Sequence, residues 1–304
     1  MKRYLLCLLL CLSALPAVKG AEFNNGNMRL VLNEKKGTFS LYYVNHETSL
    51  LLPERSFIAV MLDDQVYKLG SGAPFNKPRL GGTQSQPALV FESESFLVTV
   101  AFSFIRTVSA SLNNGVTITV SLKNKGAAPV QAALKVVLNT RKKGKQVFST
   151  DQGSISMETV FDKNSGERWW IAEDAELSIM GNIAGSVRPD TIQIAATTTL
   201  SGGRWKPEIG AKSLPNASSV SYYFDALTIS PDQSLVFPII LAVADESGFA
   251  APLFFEQTIP DALLIRQVTA FLDRSLATEA PIRDEELNAL ERILERLEAA
   301  VIGK

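Results

Sequence analysis

Apolar and polar residues alternate along most of the chain between about residues 28 and 241. The clearest run is VTITVSL at 116–122, where the aliphatic side chains fall on one face and the Thr and Ser hydroxyls on the other. Successive side chains on a strand point to opposite faces, so a period of two predicts strands with one buried and one solvated face. The same period recurs at residues 28–32, 39–43, 58–62, 98–104 and 192–194.

Turn-forming residues separate these runs. Asn, Gly, Ser and Lys cluster at 34–37, 113–115, 124–126, 164–166 and 201–203. Many short strands joined by such turns are typical of an antiparallel sandwich or barrel. No helical period of useful length precedes residue 250. We therefore predict a mainly β protein in which residues 21–250 form a large antiparallel β-sandwich.

The pattern changes after residue 250. Apolar residues recur at helical spacing over 262–276, and Pro281 then stands where a second helix can begin. The next apolar residues are spaced 3, 4, 3 and 4 apart and are flanked by Glu and Arg, as in a coiled-coil seam. We predict a helical hairpin over residues 251–304. The seam residues are Leu287, Leu290, Leu294, Leu297 and Val301.

Two interpretations of this tail stay open. In the first, both helices pack over the sandwich or on each other, as apolar stripes commonly do. In the second, the seam contacts a partner or a second copy of the chain. Two heptads form a marginal coiled coil alone, so the second interpretation also requires the first helix.

The first twenty residues predict a secretory signal. Lys2 and Arg3 precede a short apolar run at 4–15, and Val18 and Gly20 fit a cleavage after Gly20. The apolar run is shorter than the roughly 20 residues that span a bilayer. We expect export to the periplasm or medium without a transmembrane span. A lipidated Cys11, which would tether the chain to a membrane, is a minor alternative.

The cysteines, Cys7 and Cys11, would leave with the signal. The mature chain would then hold no disulfide and no cysteine ligand for a metal. Lys2, Arg3 and Lys19 would leave too, so that 27 basic and 31 acidic residues remain, with a net charge of −4. This charge gives no general attraction to nucleic acid.

His46 is the one histidine, in a polar turn. One histidine and no mature cysteine cannot supply a Ser-His-Asp set, a Cys-His set or a histidine-rich zinc site. We therefore predict no catalytic residues, no metal and no cofactor. Paired carboxylates remain open as glycosidase groups, and Glu158 and Glu173 are the acids to test. The basic run RKKGK at 141–145 fits a solvated loop or a contact with an anionic surface.

Aromatic residues are the candidate ligand-binding groups. Trp169 and Trp170 are adjacent, so on a strand their indoles face opposite ways. Trp205 follows Arg204 beside a glycine turn. An exposed indole next to an arginine suits a sugar face or a partner surface. The alternative is that these tryptophans cover the sandwich core.

The chain resembles the galactose-mutarotase-like β-supersandwich proteins in the segments 33–43, 114–124, 130–140, 222–224 and 227–235. It is most similar to an exported family associated with spirochaetes and some anaerobes. The resemblance implies a supersandwich layout across most of residues 28–245.

The chain departs from that pattern in its most recognisable part. Asn139 stands where the resemblance implies Asp, and the run at 141–145 replaces a Leu-Gly-Glu-like turn. Mutarotases also use histidines with a glutamate base, which His46 alone does not reproduce. The resemblance therefore implies a shared fold without the sugar chemistry.

These observations favour a non-enzymatic structural or interaction protein of the bacterial envelope. Its helical tail would dock an envelope protein, a cell-wall or glycan partner, or a second copy. One alternative is a carbohydrate-binding sandwich that uses the tryptophans. Another is a glycosidase or sugar epimerase that uses paired carboxylates. A concave face with an aromatic floor would favour binding, two facing carboxylates would favour catalysis, and a flat surface would favour a structural role.

Overall fold

The computed structural model describes residues 20–44, 49–107, 110–140, 147–162, 164–173, 177–183, 189–201, 205–207, 212–244 and 291. Strands dominate these residues. They are β1 (Ala21–Asn25), β2 (Met28–Asn33), β3 (Thr38–Tyr43), β4 (Phe57–Leu62), β5 (Gln65–Lys68), β6 (Arg79–Gly82), β7 (Pro87–Glu92), β8 (Phe96–Ile105), β9 (Gly115–Asn124), β10 (Val130–Leu138), β11 (Val147–Thr150), β12 (Gly153–Ile155), β13 (Thr159–Asp162), β14 (Trp169–Glu173), β15 (Ile179–Asn182), β16 (Thr191–Ala196), β17 (Ser218–Ile229) and β18 (Ser234–Val243). A five-residue helix, α1 (Thr197–Ser201), follows β16.

The strands form three antiparallel sheets. One has nine strands in the order β12-β11-β14-β15-β18-β9-β8-β7-β6, and another has six in the order β13-β16-β17-β10-β4-β5. The third is the small sheet β1-β2-β3. Non-consecutive neighbours such as β18 and β9 show that the chain crosses repeatedly between the two large sheets, as in a sandwich.

The predicted alternation is confirmed most clearly in β9. Val116, Ile118, Val120 and Leu122 are fully buried, while the intervening Thr119 is partly exposed. The mainly β, antiparallel prediction is therefore confirmed for the described residues.

The core lies between the two large sheets. Side chains from β10, β16 and β17 join those from β8, β9 and β18 in one apolar cluster. The rings of Phe224 and Phe237 meet across this core with centroids 5.0 Å apart. Phe39 of the small sheet meets Phe102 of the nine-stranded sheet at 4.9 Å. Burying each such side chain stabilises the fold by roughly 1.5–3 kcal/mol, which lets a large sandwich do without disulfides.

The outer face of the six-stranded sheet is also buried near β10, although an alternating strand predicts a solvated face there. Leu134 and Val136 point into the core, and Ala133, Lys135 and Val137, which alternate with them, are equally buried. This second buried face forms the floor of the site described below.

Helical residues are few in the part of the chain that the structure describes. Helix α1 lies before residue 250 but is one turn long, so it agrees with the expectation that no helical period of useful length occurs there. The hairpin predicted over 251–304 lies outside the described residues except for Glu291, an exposed helical residue. Residues 1–19 of the predicted signal lie outside them too. No helix among the described residues is both long and apolar enough to cross a membrane.

Candidate ligand-binding site

A cleft of about 480 Å³ opens on the outer face of the six-stranded sheet. We call it the Trp205 cleft. Its described lining residues are Glu54, Arg55, Phe57, Ala59, Val66, Lys68, Lys135, Thr197, Thr198, Ser201, Trp205 and Ala217. This volume lies within the roughly 300–1,000 Å³ of small-molecule sites.

Strand register forms the floor of the cleft. Lys135 of β10 lies opposite Ala59 of β4 on one side and Tyr223 of β17 on the other. Ala59 in turn lies opposite Lys68 of β5. Directly paired residues share a face of a sheet, so this row carries both lysines onto the cleft side.

Lys135 is the most unusual group in the floor because it is only 3% exposed. Its Nζ donates a hydrogen bond of 2.8 Å to the backbone carbonyl of Leu200 in α1. The same nitrogen lies 5.2 Å from the centre of the Tyr223 ring. Burial penalises the charged ammonium and lowers the pKa of Lys135 to about 8. A buried amine with a lowered pKa therefore lies beside the cleft.

Helix α1 forms one wall, and buried polar contacts fix its first residue. The Asn139 Nδ2 donates hydrogen bonds of 2.9 Å to both Thr197 Oγ1 and Ser219 Oγ. These two hydroxyls lie 2.7 Å apart, and the Thr197 amide donates to the Ala217 carbonyl at 2.8 Å. Leu200 is buried against Val137 and Ala195. Asn139 thus holds the first residue of α1 in place.

Exposed charges line the rim of the cleft. Arg55, Lys68 and Glu54 are all exposed. The Lys68 Nζ lies 4.5 Å from the centre of the Phe57 ring, a cation–π contact that orients the ammonium. No ion pair joins Arg55 or Lys68 to another described residue.

Trp205 is the predicted ligand-binding residue that the structure places in the cleft. Its side chain is partly exposed and lines the cleft with Thr198 and Ser201. Arg204, predicted alongside it, lies outside the described residues, as do the seam residues Leu287, Leu290, Leu294, Leu297 and Val301. His46 and the basic run at 141–145 also lie outside them.

Trp169 and Trp170 lie on β14 of the other large sheet, apart from the cleft. Trp170 is fully buried in the main core, which removes it from contact with any solvent-borne ligand. Trp169 points the opposite way, is 6% exposed and packs on Met180 and Ala242. The Arg168 guanidinium covers its ring at 4.4 Å. The two indoles lie on opposite faces of β14, as their adjacency predicted, but both are used for packing.

The two acids considered for catalysis are not neighbours in a sheet. Glu158 precedes β13 of the six-stranded sheet, is buried, and accepts a hydrogen bond of 3.3 Å from the Ala196 amide. Glu173 ends β14 of the nine-stranded sheet and accepts one of 2.9 Å from Ser149 Oγ. Within the described part of the chain, no group of three or more His, Cys, Asp or Glu side chains is arranged to hold a metal ion.

The sequence contained a signal for the burial of Lys135 that the alternation of apolar and polar residues does not show. Lys135 is the one charged residue in β10, VQAALKVVL, whose other residues are buried apart from Gln131. A single charge inside an apolar strand indicates a buried and specifically paired group, because an isolated buried charge is costly. Arg55 and Lys68 carry no comparable signal, since exposed basic residues near turns are common.

Comparison with solved structures finds galactose-mutarotase-like proteins among the similar ones. A putative aldose 1-epimerase from Escherichia coli K12 matches at 11% identity and a TM-score of 0.47, over 74% of this chain and 99% of that one. A galactose mutarotase related enzyme from Lactobacillus acidophilus matches at 7% and 0.46, over 75% and 98%. A galactose mutarotase-like protein from Lactobacillus casei matches at 9% and 0.46, over 74% and 100%.

The other comparisons gave no match. No protein-family model matches the chain, and no curated protein matches it. With identities of 7–11% and TM-scores below 0.5, no site residue and no activity is transferred from the similar structures.

Proposed function

We propose that this chain is a non-enzymatic, exported binding protein whose Trp205 cleft takes a carbohydrate. The sequence favoured an envelope interaction protein, with carbohydrate binding as an alternative. The geometry of the cleft favours that alternative, because it joins an indole and hydroxyls in one concavity.

The observation that carries this proposal is the position of Trp205 at the cleft wall. An indole offers an apolar face on which the C–H face of a sugar ring packs, and its edge stays polar. Thr198 and Ser201 lie in the same lining and can donate and accept hydrogen bonds. Arg55 and Lys68 add charged donors. Sugars need this combination of a flat apolar surface and several polar partners.

Binding is favoured over catalysis by the distribution of carboxylates. Glycoside hydrolysis uses two carboxyl groups that flank the scissile bond. Glu54 is the one carboxylate among the described residues that line the cleft. Glu158 is buried with a backbone partner, and Glu173 belongs to the other large sheet.

The test is binding to a panel of neutral and acidic polysaccharides by affinity electrophoresis and calorimetry, with the wild type, Trp205→Ala and Trp205→Phe. We expect Trp205→Ala to weaken binding about tenfold or more, since an aromatic anchor contributes roughly 2 kcal/mol. Trp205→Phe should restore much of it because the ring face remains. Wild-type protein that binds no member, or Trp205→Ala protein that binds equally well, would contradict the proposal.

We also propose that residues 1–20 export the chain and that the 251–304 hairpin docks a partner or a second copy. The charged start, apolar run and small cleavage residues support export, and the heptad spacing from Leu287 to Val301 supports docking. Sequencing the amino terminus of protein from native envelopes tests the cleavage after Gly20. Deleting residues 281–304 tests the docking, since an unchanged mass in solution and unchanged co-purified proteins would argue against it.

A further inference from the structure

A second cleft adjoins the Trp205 cleft. It has a volume of about 510 Å³ and lies between the small sheet and strands β4 and β5. Glu54, Phe57 and Lys68 line both clefts, so the two meet along these residues. The second cleft adds Lys36, which precedes β3, and Tyr42 within it. We call the two together the extended groove.

The extended groove is cationic. Among its described lining residues, the basic ones are Lys36, Arg55, Lys68 and Lys135, and the acidic one is Glu54. The chain as a whole has a net charge of −1, so this excess does not follow from composition. Basic residues are therefore concentrated in the groove, although the whole chain has 30 basic and 31 acidic residues.

Three of these cations indicate that the ligand of the groove is an anion. Lys36, Arg55 and Lys68 are exposed, and no ion pair joins them to another described residue. Cations that line a concave, partly apolar surface interact with an anion more strongly than cations on an open surface, because the local dielectric is lower. Guanidinium and ammonium groups bind carboxylate and sulfate oxygens through charge-assisted hydrogen bonds.

We propose that the ligand of the extended groove is an acidic oligosaccharide chain, several sugar residues long, whose carboxylate or sulfate groups meet Arg55 and Lys68. This inference rests on the carbohydrate binding proposed above and names the class of sugar. Trp205 takes one sugar face, Lys68 lies where the clefts meet, and Lys36 and Tyr42 receive the continuing chain. Each cleft alone has the volume of a small-molecule site, so the pair accommodates more than one sugar.

The experiment measures dissociation constants for pairs of saccharides that differ in charge. The probes are galacturonate hexamers and their fully methyl-esterified forms, and dextran sulfate and dextran. We expect the acidic member to bind at least about tenfold tighter, which is the effect of one charge-assisted contact. Raising sodium chloride from 50 to 300 mM should weaken the acidic member only, because salt screens exposed charges. The galacturonate and sulfate arms distinguish carboxylate from sulfate as the anion recognised.

Matched variants locate the contacts. Arg55→Gln and Lys68→Gln each remove a charge while keeping a long polar side chain. Each should weaken the acidic member about tenfold and the neutral member by a clearly smaller factor, because a glutamine amide still donates to a sugar hydroxyl. Lys123→Gln, on β9 of the other large sheet, should have no effect. Galacturonate dimers should bind more weakly than hexamers.

The outcomes separate the two proposals. Equal affinity for neutral and acidic members, lost in Trp205→Ala, would overturn the acidic class while carbohydrate binding stands. Equal affinity for dimers and hexamers would overturn the extended groove. An acidic preference that Arg55→Gln and Lys68→Gln leave intact would overturn the assigned contacts, and no binding to any member would overturn both proposals.

Discussion

The Trp170 indole Nε1 donates a hydrogen bond of 2.8 Å to the Tyr222 hydroxyl in the interior of the sandwich. Trp170 belongs to β14 of the nine-stranded sheet and Tyr222 to β17 of the six-stranded sheet, so this bond links the two layers. Both side chains are fully buried. Burial also raises the pKa of the Tyr222 hydroxyl above its ordinary value.

Tyr222→Phe should destabilise the fold by about 1–3 kcal/mol. The substitution leaves the Trp170 N–H buried without its acceptor, and an unsatisfied buried donor costs its desolvation. Urea unfolding followed by tryptophan fluorescence measures the change. Tyr67→Phe is the control because Tyr67 bonds Gln65 at the surface, and it should cost less than about 0.5 kcal/mol. Equal stability of Tyr222→Phe and wild type would show that the bond between layers contributes nothing net.

Gly181→Ala should destabilise the fold more than Tyr222→Phe does. Gly181 of β15 lies directly opposite Trp170, and a Cβ there would overlap the indole and the Tyr222 hydroxyl. Overpacking at a buried site costs about 3 kcal/mol where rigid rings cannot retreat. Gly166→Ala is the matched control, since its Cβ would meet only the end of the Gln152 side chain. Similar urea midpoints for the two variants would contradict this account of the glycine.

The strands were predictable because period-two alternation is a local property of the sequence. β9 shows it directly, since burial alternates with the sequence from Ile118 to Leu122, although Thr117 is buried as well. The burial of Lys135 was not predictable in this way, because a strand with two buried faces depends on what packs over it. Helix α1 was missed because Thr197-Thr198-Thr199-Leu200-Ser201 has low helix propensity, and tertiary contacts from Asn139 and around Leu200 set its position.

The candidate site was only partly predictable for a similar reason. Trp205 stood out because it follows a glycine turn, and the structure places it in the cleft. Trp169 and Trp170 drew attention equally, yet β14 lies in the other sheet and uses both indoles in packing. Lys68 and Lys135 reach the same cleft through the register of β5 and β10 with β4, and sequence distance does not encode which strands become neighbours.

Asn139→Ala should weaken both the fold and the cleft. The change removes the two side-chain hydrogen bonds to Thr197 and Ser219 and leaves a small cavity, which together cost about 2 kcal/mol. Because these bonds hold the first residue of α1, carbohydrate affinity at the Trp205 cleft should also fall. Unfolding in urea and calorimetry with the best-binding saccharide test the two effects. A stability loss with unchanged affinity would separate α1 from ligand binding.

Lys135→Met should remove a pH dependence of stability. The unfolded chain holds this proton up to its ordinary pKa of 10.5, whereas the folded chain releases it near the lowered pKa of about 8. Between these values the unfolded state binds more protons, so the free energy of unfolding of the wild type rises with pH, by up to about 1.4 kcal/mol per unit. This contribution is complete above pH 10.5 and is lost as the pH falls through 8.

Urea unfolding from pH 7.5 to 9.5 measures this dependence. The upper limit restricts ionisation of tyrosines in the unfolded chain. This ionisation would lower stability at higher pH, because Tyr222 and Tyr223 have raised pKa values in the fold. Lys123→Met is the control, since that lysine is partly exposed and pairs with Asp232 at 3.4 Å, and it should follow the wild type. Parallel curves for the wild type and Lys135→Met would contradict a titrating amine beneath the Trp205 cleft.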